Sequence, residues 1–326
     1  MKITIHDRLD AVGSLPWDAL LTGARLRSPF LSELWQREWV RAFAPAQRLE
    51  IRCVEDDRGR LVALLPLYEA RPGALVLVGG ADVSDYLDLI ALEGREEEAW
   101  MALLESRGGA GETWELHAVP EASPTVTLLP RLAAACGISA SVSVEERCPV
   151  VELPDSWDAY LAGLGGKDRH ELLRKLRRFE REAPDGHAVS ASRPGDVEAR
   201  FGDFLDLHRR SRTGKARFMD ARMEGFFRRV AVGLAEVGMV RLWFLDTRSG
   251  PAAAFFCLEW AGTVAVYNSG FHTERAALSP GLVLLAGILR DAIQRRVRRF
   301  DFLRGEERYK YEFGPTPEAV YGVTIR

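Results

Sequence analysis

The chain has 326 residues, more than one ordinary hydrophobic core needs and enough for about two domains. With 47% hydrophobic and 28% charged residues it is neither disordered nor fibrous, and 44 basic against 47 acidic side chains exclude the polyelectrolyte character of a protein that wraps nucleic acid. The charge is uneven, however: residues 1–150 hold 15 basic and 23 acidic side chains (net −8) and residues 151–326 hold 29 and 24 (net +5), so the second half is the better place for an anionic ligand.

Taken in chain order, Lys2–Ile5 alternates as a strand and Pro16–Leu21 reads as a short helix. Ser32–Phe43 places Leu34, Trp35, Trp39 and Phe43 at helical spacing behind Ser32, a suitable N-cap. Leu49–Glu55 and Leu61–Tyr68 form a hairpin across Asp56–Gly59. Ala74–Val78 is a strand broken by Gly79–Gly80, and Ser84–Ile90 runs toward another strand. Glu96–Glu105 is helical, Thr113–Ala118 extended, Thr125–Cys136 helical and Cys148–Glu152 extended. The second half repeats this order. Ser156–Leu164 and Asp168–Glu182 are helices, Val189–Ser192 a strand, and Asp196–Arg210 and Ala221–Val237 helices. Val240–Asp246 and Ala252–Trp260 form a hairpin across Thr247–Gly250, followed by the strand Thr263–Asn268, the helix Gly281–Arg296 and the strand Arg299–Phe302. Val320–Ile325 is a last strand that could return to either domain. Each half thus reads as helices, an antiparallel hairpin and a strand–helix–strand unit, with a boundary near Val144–Pro149 that separates domains 1–147 and 148–326.

Four separated cysteines without a CxxC pair read as buried hydrophobes of a reducing compartment, and six scattered histidines form no zinc pattern, so no metal is expected. The N-terminus lacks the apolar core of a signal peptide, and the longest apolar run, Gly281 to Leu289, is about half a membrane span; a cytoplasmic protein is expected.

Three segments carry the charge and hydrogen-bonding groups that chemistry needs. In the first, the strand TVAVYNSGF (263–271) ends in small polar residues, and Ser279–Pro280–Gly281 then opens a helix: a cap, a first-turn proline and a glycine leave main-chain amides available to an anion together with the helix dipole, although an ordinary capped helix would look the same. In the second, RRFDFLRGEERYKYEFG (298–314), Asp301 alternates with Phe300 and Phe302, and Arg304, Glu307, Tyr309 and Lys310 crowd a short loop. A lysine there can neutralise a phosphate or an oxyanion and a tyrosine can protonate a leaving group; the alternative is a solvated turn. The third, GGKDRHELLRKLRRFERE (165–182), is an amphipathic basic helix whose Lys167 and Arg169 are the better ligand candidates, against the reading that its charges pair within the helix. Weaker candidates are His208 and Arg217 in DLHRRSRTGKARF, with His208 more often a packed histidine than a base, and Asp85 with Tyr86 on the first domain.

In this order, the basic helix, the hairpin RLWFLD…GPAAAFFCLEW, the step VYNSGF…LSPGLVLL and the tail RRFDFLRGEERYKYEFG resemble the CelD/BcsL-type acetyltransferases, in the FemABX-like branch of the GNAT superfamily; SPFLSELWQREW, GRLVALLPLY and SDYLDLI resemble it more loosely. The resemblance implies an α/β (α+β) fold of two tandem GNAT-like domains, each a mixed, mainly antiparallel sheet flanked by helices, the first degenerate and the second an acyltransferase. It implies an acyl donor, acetyl-CoA, lying against Val266, Tyr267 and Asn268, with its pyrophosphate at Ser279, Pro280, Gly281 and Leu282 and with Arg304 nearby. Tyr309, Lys310, Asp301 and His208 would then be the catalytic candidates, and Lys167, Arg169, Asp85, Tyr86, Arg217 and Glu307 would meet the acceptor, an amine or hydroxyl of a small molecule or an envelope saccharide of polysaccharide biosynthesis. DNA is not an expected partner. One departure stands out: His272–Gly281 lacks the Q/R-x-x-G-x-G/A loop of ordinary GNAT enzymes. The FemABX branch lacks it too, and some of its members take aminoacyl groups from tRNA, which gives the alternative of a FemX-like transferase acting on a peptidoglycan precursor; a non-catalytic binding module is the third reading.

Overall fold

Alternating apolar segments joined by glycine-containing turns pair as neighbours, whereas a helix between two strands forces a crossover and a parallel pairing. Both occur in each half of this chain. A computed structural model describes residues 1–108, 111–211 and 217–326. Two units result, the first formed by Met1–Glu146 with Glu318–Arg326 and the second by Arg147–Pro317.

In the first unit, β1 (Lys2–His6), β2 (Leu49–Glu55), β3 (Leu61–Arg71) and β4 (Ala74–Leu77) are antiparallel neighbours. The helix α3 (Glu96–Glu105) then crosses to β6 (Thr113–Pro120), which lies parallel to β4 over Ala74↔Thr113, Leu75↔Trp114 and Val76↔Glu115. The final strand β13 (Thr316–Ile325) closes against β6 in antiparallel register. A two-residue strand, β5 (Ile90–Ala91), also pairs with β3. Helices α1 (Ser14–Gly23) and α2 (Glu33–Phe43) pack on each other, and α3 packs on α4 (Thr125–Ala135). The Ser32 side chain accepts from Trp35 N–H and caps α2, the role its position predicts. Trp17, Trp35, Trp100 and Trp114 form the bulk of this core.

The second unit has the same order of pairings. Strands β8 (His187–Ala191), β9 (Val240–Thr247), β10 (Gly250–Trp260) and β11 (Thr263–Phe271) are antiparallel neighbours. Helix α9 (Pro280–Gln294) crosses to β12 (Arg299–Asp301), parallel to β11, and the end of β7 (Ala140–Glu152) closes antiparallel on β12. On one face of this sheet, α5 (Trp157–Gly163), α6 (Gly166–Glu182) and α9 bury Leu172, Phe179 and Leu285 with Phe255, Val264 and Val266. On the other, α7 (Pro194–Ser211) and α8 (Ala221–Glu236) pack Phe201, Phe204 and Phe227 around Phe256. Each unit is therefore a mixed, mainly antiparallel sheet flanked by helices, with a single strand–helix–strand crossover.

Several boundaries differ from the sequence expectation for physical reasons. The strand expected over Cys148–Glu152 begins at Ala140: the alternation SVSV lasts only four residues before the charged EER, and Ser141–Arg147 are exposed on both faces. The segment Ser84–Ile90 becomes a strand only at Ile90, since the Ser84 hydroxyl donates to nearby Gly79 O and the Asp88 carboxylate accepts from Leu89 N–H, local bonds that compete with a ladder. The tail loop contains a one-turn helix, α10 (Arg308–Tyr311).

Candidate functional site

The parallel crossover of the second unit positions most of the candidates. Strands β11 and β12 pair at Thr263↔Arg299, Val264↔Phe300 and Ala265↔Asp301, and the pairing stops there. Beyond that point β11 keeps to β10 as far as Phe271, while the chain leaving β12 keeps to β7, with Phe302 N–H donating to Pro149 O (2.9 Å) and Gly305 N–H to Arg147 O (3.2 Å). The two strands diverge. On the β11 side the register against β10 slips between Phe256 and Cys257, whose partners are Asn268 and Val266, so Tyr267 is the extra residue of a β-bulge. Its ring sits edge-on to Phe227 and Phe256, at 5.5 and 5.6 Å. A bulge redirects backbone groups out of the ladder, which puts Val266, Tyr267 and Asn268 where a ligand could exchange main-chain hydrogen bonds with the strand.

Helix α9 begins beside the far end of β11: a Cβ on Gly281 would come within 3.9 Å of Phe271 Cδ1. Ser279 stands at the N-cap, but in left-handed conformation (φ 51°), and its hydroxyl makes no cap hydrogen bond, so the side-chain cap expected from sequence is not made. Pro280 has no N–H to satisfy, and the small Gly281 lets a ligand approach the first-turn amides of Gly281 and Leu282. The residues present thus suit an elongated ligand that is amide-bonding at one end and anionic at the other.

The tail after β12 behaves differently from the sequence expectation. Lys310 is buried, and its ammonium donates to Arg304 O (2.8 Å), Gly305 O (3.0 Å) and Leu303 O (3.3 Å) while pairing with Glu307 Oε2 (2.9 Å). Its donors are committed to its own loop, as is the Glu307 carboxylate that was expected to meet an acceptor. Asp301, 1% exposed, accepts from Leu303 N–H through Oδ1 (2.8 Å) and lies 3.8 Å from Arg299 Nη2 through Oδ2. Both were expected as catalytic groups, and both hold a turn. Tyr309 is half-buried against the core of this unit, and Arg304 is half-buried in the loop. Tyr311 donates to Glu306 Oε1 (2.8 Å), and desolvation, helped by that carboxylate, raises the phenol's pKa.

Helix α6 borders the same region. It packs against α9 and the turn Thr273–Leu278, and Lys175 Nζ reaches Glu312 Oε2 at 2.9 Å beside the tail. Several of its basic residues pair locally: Arg174 with Glu171, Arg178 and Arg181 with Glu182. The Arg174 guanidinium holds the Glu171 carboxyl down at about 2. Lys167 and Arg169, at the exposed start of the helix, take part in no ion pair among the described residues. Arg217 is exposed, and the preceding residues 212–216 of its basic loop lie outside the described residues.

His208 is 1% exposed and packed at a tilt against Phe204 (5.8 Å) and Phe218 (6.3 Å), which makes it a packing residue instead of an accessible base. Its backbone abuts Gly270, where a Cβ would fall 2.3 Å from His208 N. Gly270 was missed as a site-building residue, although a glycine inside a strand is a sign of close backbone approach. Tyr160 was missed as well; its hydroxyl donates to Phe313 O (2.9 Å) and anchors the tail. Asp85 and Tyr86 belong to the first unit, and Tyr86 is buried edge-on to Phe30 (6.3 Å), a core position that cannot meet an acceptor.

The equivalent crossover of the first unit is filled by its own chain. Strands β4 and β6 also part after three pairs, but Leu87 N–H then donates to Ala118 O of β6 (2.9 Å), and Ser84 accepts from Trp35 Nε1 (2.9 Å) and donates to Gly79 O (2.7 Å). Asp88 is locked to Ser123, Thr125 and Leu89 N–H, and the Trp39 ring covers Gly80.

A family model described as an acetyltransferase (GNAT) domain matches residues 166–311. Among solved structures the chain is similar to FemX (10% identity, 99% of this chain and 97% of that one, TM-score 0.65). It is also similar to L-PGS from Bacillus licheniformis (13%, 95% and 90%, TM-score 0.62) and to a conserved protein of unknown function from Bacteroides thetaiotaomicron (14%, 99% and 99%, TM-score 0.62). No curated protein matches the sequence. Residues 166–311 thus match a GNAT-domain model, and the likeness to these solved structures is one of fold. Among the described residues no helix is long and apolar enough to cross a membrane, and no cluster of three or more histidine, cysteine, aspartate or glutamate side chains could hold a metal ion.

Proposed function

We propose that the chain is a GNAT-type acyltransferase whose second unit takes an acyl group, acetyl from acetyl-CoA, and delivers it to an amine or hydroxyl of a small molecule or an envelope saccharide. The observation that carries this reading is the divergence of β11 from β12 after three residue pairs, with a bulge at Tyr267 on one wall and the start of α9 at its end. In this reading the pantetheine arm exchanges hydrogen bonds with Val266–Asn268, and the pyrophosphate meets the amides of Gly281 and Leu282 beyond Ser279 and Pro280. Arg304 stands beside the arm, and Lys167, Arg169 and Arg217 offer positive charge to an acceptor.

The chemistry asks little of side chains. The acceptor gives up a proton to a base or water, its lone pair attacks the thioester carbon, a C–N or C–O bond forms, the C–S bond breaks, and the departing thiolate takes up a proton. Main-chain donors at the bulge stabilise the oxyanion, and Tyr309 is the proposed proton source. Titration of the whole chain with acetyl-CoA and coenzyme A tests the donor: saturable binding tighter than about 1 mM supports it, and no heat at that concentration overturns it. Exposed Lys167 and Arg169 favour a second reading, a charged-tRNA donor, given the likeness in fold to FemX. That reading requires a tRNA mobility shift that weakens steeply with salt.

A further inference from the structure

What makes β12 leave β11 is a set of groups that spans ten residues. Leu303 sits at φ 54° and Gly305 at φ 104°, the first costly for a residue with a side chain. The turn that these angles make is held at both ends from inside. Asp301 Oδ1 receives Leu303 N–H at 2.8 Å, and the Lys310 ammonium gathers the carbonyls of Leu303, Arg304 and Gly305 from one turn of helix further on. Glu307, which starts that turn of helix, neutralises the ammonium at 2.9 Å, and its carbonyl accepts from Lys310 N–H. With the Arg304 carbonyl drawn toward the lysine, the Gly305 amide in the same peptide plane is directed to Arg147 on β7, and just before the turn Phe302 N–H carries the β7 ladder on to Pro149.

We infer that Asp301 and Lys310 are positioning residues: together they turn the chain off β12 and hold the wall of the gap that faces β11. They take no part in proton transfer. The inference rests on the donor reading for its purpose, but the turn itself can be tested without any donor. Amide hydrogen exchange on the whole chain is compared for the wild type, Lys310→Met, Lys310→Arg, Asp301→Ala and Asp301→Asn, alongside coenzyme A affinity. Lys310→Met and Asp301→Ala are expected to lower the protection of Phe302 and Gly305 at least tenfold with the β9–β10 amides unchanged, and to weaken coenzyme A at least tenfold. Asp301→Asn keeps an oxygen for Leu303 N–H and is expected to restore both, with Lys310→Arg intermediate.

Wild-type protection of Phe302 and Gly305 in both Lys310→Met and Asp301→Ala overturns the inference. So does failure of Asp301→Asn to rescue protection, because the carboxylate's charge, and not its acceptance of Leu303 N–H, would then be the essential feature. A wild-type chain that ignores coenzyme A while the exchange pattern is as expected overturns the donor reading and leaves the positioning roles standing.

Discussion

At the scale of single residues, the most informative side chain outside the candidate site is Asp88. It is fully buried, and desolvation raises its pKa to about 6 despite hydrogen bonds from Ser123, Thr125 and the Leu89 amide that favour the charged form. Because the folded pKa lies above the unfolded one, the folded state binds the extra proton. Stability is therefore greatest below about pH 4 on account of this group and declines as pH rises to about 6, by about 3 kcal/mol for a shift of about two units. Urea midpoints measured from pH 4 to 7 should show this decline, and Asp88→Asn, which cannot ionise, should flatten it; a variant with the wild-type slope would show that another group titrates. The tail gives a different lesson about reading residues. Lys310 and Asp301 were legible as unusual from charge crowding beside aromatics, but composition could not show that both face inward, because burial of a lysine depends on carbonyls that only the turn brings together.

At the scale of elements, glycines separate packing from ligand approach. Gly270 on β11 leaves no room for a Cβ, with the main chain of Leu207 and His208 at 2.3 to 2.6 Å, so Gly270→Ala must push α7 off the strand. A loss of about 3 kcal/mol is expected in chemical denaturation. Gly281, at the start of α9, has only Phe271 Cδ1 at 3.9 Å, an ordinary contact. Gly281→Ala should leave the melting temperature unchanged or slightly raised, since alanine favours a helix by up to about 1 kcal/mol, while weakening coenzyme A about tenfold through the methyl placed at the first-turn amides. Equal affinity in Gly281→Ala and wild type would remove the pyrophosphate from this helix end. Most of the elements themselves were readable from periodicity, including the β9–β10 hairpin and the α9 crossover. Periodicity did not give the bulge at Tyr267, which leaves the apolar pattern unchanged, or the extension of β7 through Ser141–Arg147, whose alternation is short and runs into the charged EER.

At the scale of the whole molecule, the sequence repeats one order of elements and the structure repeats one order of pairings, yet the two crossovers are not equivalent. In the second unit the strands part and the chain beyond β12 is held on β7. In the first, the segment between β4 and β5 supplies the hydrogen bond to β6 that a bound ligand would otherwise make, through Leu87 N–H and Ala118 O. That segment is fastened by buried groups at Ser84 and Asp88 and covered at Gly80 by Trp39, so displacing it would expose apolar surface and break several hydrogen bonds at once, each worth about 1 kcal/mol. A ligand could not gain enough from the exposed strand edge to offset that. The chain should accordingly bind one equivalent of coenzyme A. Calorimetric titration at protein concentrations well above Kd should give a stoichiometry near one per chain, and Leu87 N–H should exchange as slowly as the central strands of its unit whether or not coenzyme A is present. Two equivalents per chain, or loss of Leu87 protection on adding the ligand, would mean that the segment yields and that both crossovers are sites.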